Sequence, residues 1–162
     1  MTTKRVTVEE FARILDELPD EFTAAATRGL RSAAQVLEGF AVDEIRSAEP
    51  HPAVATGELA RSVVTTRVDD GAIVRVEAPH APFMEEGTRP HFPPLQPLED
   101  WVRLKGFARD DASVRRIAYA IALKISRDGI APRHFFQKAV RRMNDQHIVP
   151  REIARELDRI AG

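Results

Sequence analysis

The chain contains no cysteine. That excludes disulfides, thiolate metal sites and a cysteine nucleophile, and leaves packing and association to hold the fold together. No uninterrupted apolar run approaches the ~20 residues that a bilayer crossing needs, so no membrane partner is expected. The opening Met-Thr-Thr-Lys-Arg-Val-Thr-Val-Glu-Glu lacks the apolar stretch of a secretory signal, and synthesis in a cytoplasm is expected. There is no Gly-rich phosphate loop, no Gly-x-Ser-x-Gly elbow and no Asp-x-Asp signature. Internal repeats, low-complexity tracts and domain-dividing linkers are absent as well. What is present is 162 residues, 43% hydrophobic and 30% charged, which fits one domain spanning 1–162 with a sizeable core.

The net charge of -1 conceals an asymmetry. Residues 1–100 carry 10 Lys/Arg against 18 Asp/Glu, and residues 101–162 carry 14 against 7. An acidic front and a basic back suit a head-to-tail contact between copies, which closes into a ring when its rotation allows. The same asymmetry also fits a tail that faces nucleic acid.

Phe11, Ile14, Leu15 and Leu18 predict a short helix over 6–18, ended by Pro19, with Asp20 capping the next one. That second helix is expected over 20–46. Its stripe of Phe22, Ala26, Leu30, Ala33, Leu37, Phe40 and Ile45 keeps one face apolar for about six turns. The prolines at 50 and 52 mark a loop over 47–55. The pattern then turns to β: 63–68 is rich in β-branched residues, and 73–78 alternates Val74, Val76 and Ala78 with Arg75 and Glu77. Asp70-Gly71 between them favours a hairpin turn with positive φ. An isolated hairpin is marginal in water, so the long helix, a third strand or a neighbouring subunit must cover it. Helices are expected again over 95–105, over 112–127 with Gly129 closing in a left-handed conformation, over 135–143 and over 150–160. The predicted fold is α+β: the long helix packed on a small antiparallel sheet (hairpin 62–78), flanked by the C-terminal helices.

Candidate chemistry concentrates in 80–94, His-Ala-Pro-Phe-Met-Glu-Glu-Gly-Thr-Arg-Pro-His-Phe-Pro-Pro. A metal site would draw on His80, Glu85 or Glu86, His91 and His134. No His-x-x-x-His or His-Glu-x-x-His pair sets two imidazoles on one helical face, so loop-packing histidines are the expected reading and no cofactor is assigned. Glu85-Glu86 as an acid/base pair would point about 100° apart on a helix, and solvated carboxylates are expected instead. The basic residues of the last third, Arg115, Arg116, Lys124, Arg127 and Arg133 among them, fit either a phosphate-tracking surface or ordinary solvent faces; Trp101, Tyr119, Phe135 and Phe136 fall on or near apolar stripes where core packing is expected. Proline-fixed segments carrying Phe83, Phe92, Phe135 and Phe136 lose little entropy on docking, which makes them good anchors. Phe136 is expected in the chain's own core. Phe83, Glu85, Thr88, Arg89 and Phe92 are expected at or near a subunit interface.

Four blocks occur in order: Thr56-Gly57-Glu58-Leu59-Ala60-Arg61-Ser62, then Ala81-Pro82-Phe83-Met84-Glu85-Glu86-Gly87-Thr88, then Pro93-Pro94 to Trp101-Val102, then Gly129-Ile130-Ala131-Pro132-Arg133-His134-Phe135-Phe136. Together they resemble the neck or tail-completion (head–tail joining) proteins of long-tailed bacteriophages, also called minor tail components. In that family the first block reads T/S-G-x-L-x-x-S, the second Y-A-x-x-x-E-x-G-T, and the last ends in a Pro-Phe pair near a final helix. Here His80 stands in place of the tyrosine, Glu86 in place of an apolar residue, and His134 in place of the proline. The resemblance covers about 56–139, with a family-like core over 20–146 and the helices 6–18 and 150–160 as extensions. It implies a non-catalytic virion protein, made in the bacterial host cytoplasm, that forms or decorates a ring at the head–tail junction. Its partners would be copies of itself and other neck, connector or tail-tube proteins, with incidental contact to packaged DNA. The alternatives from other classes are a basic DNA-binding accessory protein and a metal-dependent DNA-acting enzyme.

Overall fold

The computed structural model describes residues 20–47 and 57–161. The predicted helix over 6–18 lies outside them, as does most of the loop over 47–55. In chain order the elements are α1 (Asp20–Ser47), α2 (Glu58–Arg61), β1 (Val63–Val68), β2 (Gly71–Val76), α3 (Ala81–Glu86), α4 (Leu95–Leu104), α5 (Asp111–Asp128), α6 (Phe135–Asp145) and α7 (Ile148–Ala161). The fold is α+β, mostly helical, with an antiparallel two-stranded sheet lying along the long first helix.

Helix α1 carries Asp20 and Glu21 in its first turn and Arg46 in its last, which complements the helix dipole at both ends. Its C-terminal half is the floor of the main core. Leu37, Ala41 and Ile45 meet Leu59 and Ala60 of α2, Val63 of β1, Ala78, Ala81 of α3, and Phe135 and Ala139 of α6. Full burial of Ile45 or Leu59 stabilises by about 1.5–3 kcal/mol each. At the rim, the Arg142 guanidinium sits 4.0 Å from the Phe40 ring centroid and reaches Asp43 at 3.4 Å, tying α6 to α1.

The N-terminal half of α1 is built differently. Its buried residues there are Ala25, Gly29 and Ala33, one every fourth position, and α7 lies against them. This corrects the expected stripe, because Phe22 and Leu30 are exposed. Two carboxylates of α7, Glu152 and Glu156, are buried at this end. Arg28 donates to Glu156 at 3.0 Å, and Arg155 donates to Glu152 at 3.0 Å. Buried carboxylates with such partners avoid the desolvation cost of an unpaired charge.

The hairpin pairs Val63 with Val76 through Val68 with Gly71. Its two-residue loop is therefore Asp69-Asp70, one position earlier than Asp70-Gly71. Positive φ among the described non-glycine residues is confined to His134 and His147, so the expected positive-φ turn does not form. Arg31 of α1 explains how the turn is held. Its Nη2 donates to the carbonyls of Val68 (2.8 Å) and Asp69 (3.2 Å), and its Nε to that of Gly71 (3.2 Å). One planar guanidinium fork thus gives three carbonyls at the turn a partner on α1. Thr65 Oγ1 donates to Glu38 at 2.5 Å and fixes the same sheet face to α1 further along.

Helices α4 and α5 form an arm with a small core of its own. Val102, Val114 and Ala118 are fully buried there, walled by Leu98, Trp101, Ala108, Ile117 and Ile121. The Trp101 and Phe107 rings pack at 5.2 Å, tilted by 52°. Asp110 caps α5 by accepting from the Ser113 amide at 2.8 Å, which holds its carboxyl below the usual carboxylate range. Among the described residues no helix is long and apolar enough to cross a membrane.

Candidate docking surface

The second and fourth sequence blocks meet where the arm joins the body. Thr88 and Ile130 form an isolated antiparallel bridge: the Thr88 amide donates to the Ile130 carbonyl at 2.9 Å, and the Ile130 amide donates back at 3.2 Å. Thr88 Oγ1 accepts from the same Ile130 amide at 3.1 Å. A glycine stands beside each bridging residue. Gly87 has φ 76 and ψ -172, and Gly129 has φ 72 and ψ -162. That region is open essentially to glycine alone. Gly129 therefore closes α5 in an extended conformation with positive φ and not in the expected left-handed helical one. A Cβ on Gly87 would lie 2.3 Å from the Ile130 carbonyl oxygen, and one on Gly129 2.1 Å from that of Thr88. The two glycines let two backbones touch, and the pair of segments acts as a clasp.

Glu85 completes the clasp. Its Oε2 accepts from the Phe136 amide at 2.9 Å and its Oε1 from the Gln137 amide at 3.0 Å, so one carboxylate caps the first turn of α6. The backbone follows the same path, with the Arg133 amide donating to the Met84 carbonyl (2.9 Å) and the His134 amide to that of Glu85 (3.1 Å). Glu85 is thus a helix cap and not the solvated carboxylate expected from sequence. The local reading missed it because its partners lie 51 and 52 residues further along the chain. Glu85→Ala should lower stability by about 1–2 kcal/mol, as loss of a cap does, and should speed amide exchange at Phe136 and Gln137 first. Urea titration with site-resolved exchange checks both parts.

The histidines do not converge. His91 Nδ1 sits 2.9 Å from the Arg89 carbonyl and 3.4 Å from Thr88 Oγ1. His134 precedes α6 with φ 51, and its Nδ1 is buried with no hydrogen-bond partner among the described residues. No group of three His, Cys, Asp or Glu able to hold a metal occurs among the described residues. Two open clefts, of about 340 and 400 Å³, run along α6 and share Arg141 and Asp145; neither is lined by a residue of 80–94.

What the clasp leaves outside is apolar. Phe83 is 57% exposed and Phe92 53%. The Phe92 ring lies 6.1 Å from that of Tyr119, on α5. Tyr119 is itself 50% exposed, against the expectation that it packs in the core. The helical register gives the reason: Val114 and Ala118 point into the arm's core, while Arg115, Tyr119, Leu123 and Arg127 follow one another at four-residue steps on an exposed face. Those two apolar residues, off the main stripe and bracketed by arginines, were the signal in the sequence. Of the five residues placed at an interface, Glu85 and Thr88 are occupied within the chain, Arg89 lends its carbonyl to His91, and Phe83 and Phe92 face outward. No protein-family model, curated protein or solved structure matches this chain.

Proposed function

We propose that this chain is a non-catalytic structural subunit of the head–tail junction of a long-tailed bacteriophage, assembling with copies of itself into a ring or decorating one. The observation that carries the reading is the clasp. The second and fourth blocks of the resemblance, far apart in sequence, form one unit in which the motif's glutamate, two glycines and threonine each have a physical task. That unit stiffens the segment bearing Phe83 and Phe92, and exposed aromatics on a preorganised backbone are what a docking surface needs.

The test has a particle arm and a solution arm. Gold-labelled antibody against the protein should decorate the junction between head and tail on virions from the producing strain, and label elsewhere, or none on particles, overturns the proposal. In solution, the purified protein should form ring-shaped particles in negative stain and leave DNA intact with Mg²⁺ or Mn²⁺. Metal-dependent cleavage would establish the enzyme alternative. Tight, sequence-independent DNA binding that falls steeply with salt would establish the DNA-binding one.

A further inference from the structure

We propose that the subunit contact runs from the α4–α5 arm of one copy to the outer face of the β-hairpin of the next. It rests on the assembly reading above and names the two faces that meet. The donor face is the stripe on α5. Tyr119 and Leu123 lie between Arg115 and Arg127, with Phe92 packed beside Tyr119, and all five residues are exposed. The Arg115 side chain makes no ion pair with a described residue, and Arg127 donates only to the Leu123 carbonyl, at 3.3 Å. The nearest acid along the helix, Asp128, is engaged by Lys124 at 2.8 Å. The stripe is therefore apolar in the middle and positive at both ends.

The acceptor face follows from the strand register. Val63, Val74 and Val76 belong to the face packed on α1, so Val64, Thr66, Val68, Ile73 and Arg75 share the other. Val68 and Ile73 are diagonal neighbours on it and are 40% and 46% exposed. Next to them, Asp69 and Asp70 form the turn. Neither carboxylate forms an ion pair with a cation of the described residues; Arg31 spends its hydrogen bonds on the turn carbonyls, and its charge offsets one of the two carboxylates. Arg75, the cation on this face, stands at the end away from the turn and donates to Thr66 at 3.5 Å. The acceptor is thus apolar, with two carboxylates against one guanidinium at the turn.

Charge complementarity commits the occupant to a second copy: a positive apolar stripe and a negative apolar patch stand on different parts of the same molecule. Among the described residues no extensive packing interface joins arm and hairpin of one chain, which leaves the donor of each copy available to the acceptor of another. A contact between two different faces is heterologous, and it closes into a ring or extends as a filament according to its rotation. Placing the arginines opposite the aspartates fixes the direction of docking, and the apolar residues bury area once in place.

A charge swap tests it. The Asp69→Arg/Asp70→Arg protein has two positive faces, and the Arg115→Glu/Arg127→Glu protein two negative ones. Each alone, with a thermal melt like the wild type, should assemble at least tenfold more weakly by light scattering. An equimolar mixture should recover assembly, since each variant's donor then meets the other's acceptor. Because the chain has no cysteine, a Tyr119→Cys/Ile73→Cys protein offers a second readout, an oxidised ladder of covalent oligomers on a reductant-free gel. Folded swap variants that assemble like the wild type, with no ladder, overturn these faces while leaving the ring reading intact. A wild type that stays monomeric alone and with head and tail particles overturns both.

Discussion

Gly129→Ala is expected to lower the unfolding free energy by about 3 kcal/mol or more, and Gly87→Ala by a similar amount, which makes the clasp a highly sensitive backbone site. Two independent costs add. The first is conformational: φ near +70 with ψ close to 180° is open to glycine but costs any other residue about 1–3 kcal/mol. The second is steric. The new methyl would meet a backbone carbonyl oxygen at 2.1 Å for Gly129 and 2.3 Å for Gly87, and a backbone atom cannot swing aside as a side-chain tip does. The two segments must part, which forfeits the reciprocal Thr88 and Ile130 hydrogen bonds at about 1 kcal/mol each. The effects should not sum in the double variant, because a bridge opened by one alanine has little left to lose to the other. Urea unfolding of the two single variants and the double variant measures this coupling. Rapid exchange of the Thr88 and Ile130 amides in either single variant would locate the damage. Stability like the wild type in both would mean that the segments do not touch as described. The functional consequence reaches beyond stability, because the clasp orients both the loop that carries Phe92 and the start of α6. A variant that folds with a loosened clasp should retain its arm core and lose assembly.

The parts of this fold that were legible in the sequence are those governed by local periodicity. The β-branched run ahead of Asp70-Gly71 gave the hairpin, and the stripe of Val114, Ala118 and Ile121 placed α5 within a residue at each end of its observed Asp111–Asp128. The turn was off by one position because a tertiary contact, the Arg31 fork, stabilises negative φ where the dipeptide alone favours positive. Glu85 could not be assigned locally, since a carboxylate capping a helix some fifty residues onward leaves no mark beside itself. Tyr119 was misplaced for a different reason: α5 presents two apolar stripes, and the one that carries Tyr119 stays exposed with Phe92 beside it. In α1 the misreading came from counting bulk. Phe22 and Leu30 dominate any hydrophobic stripe, yet the face that receives α7 is made of the small residues between them.

That small-residue face yields the other large effect, because α1 contains two glycines that should respond to the same substitution with opposite signs. Gly39 has nothing within 4 Å of where a Cβ would stand. Gly39→Ala should therefore stabilise by about 0.5–1 kcal/mol, the ordinary helix gain from a less flexible residue. Gly29 is seated against the α7 backbone, where a Cβ would lie 2.6 Å from Ile153 Cα and 2.8 Å from Ile153 N. Accommodating a methyl there means moving α7 outward by roughly 1 Å, since contact distances for carbon start near 3.5 Å. The shift would pull Ala25 and Ala33 off the same helix and draw Glu156 away from Arg28, now 3.0 Å apart. Overpacking of this type costs about 1–3 kcal/mol, which exceeds the helix gain, so Gly29→Ala should come out net destabilised by about 1–2 kcal/mol and Gly29→Val by more. In the valine variant α7 should become the first segment cut by limited proteolysis, with the Leu37, Ala41 and Ile45 core still protected. Because both glycines sit in one helix, propensity cancels in the comparison and only the seat remains. Equal gains at Gly29 and Gly39 would place α7 elsewhere, and the burial of Glu152 and Glu156 would then have no explanation.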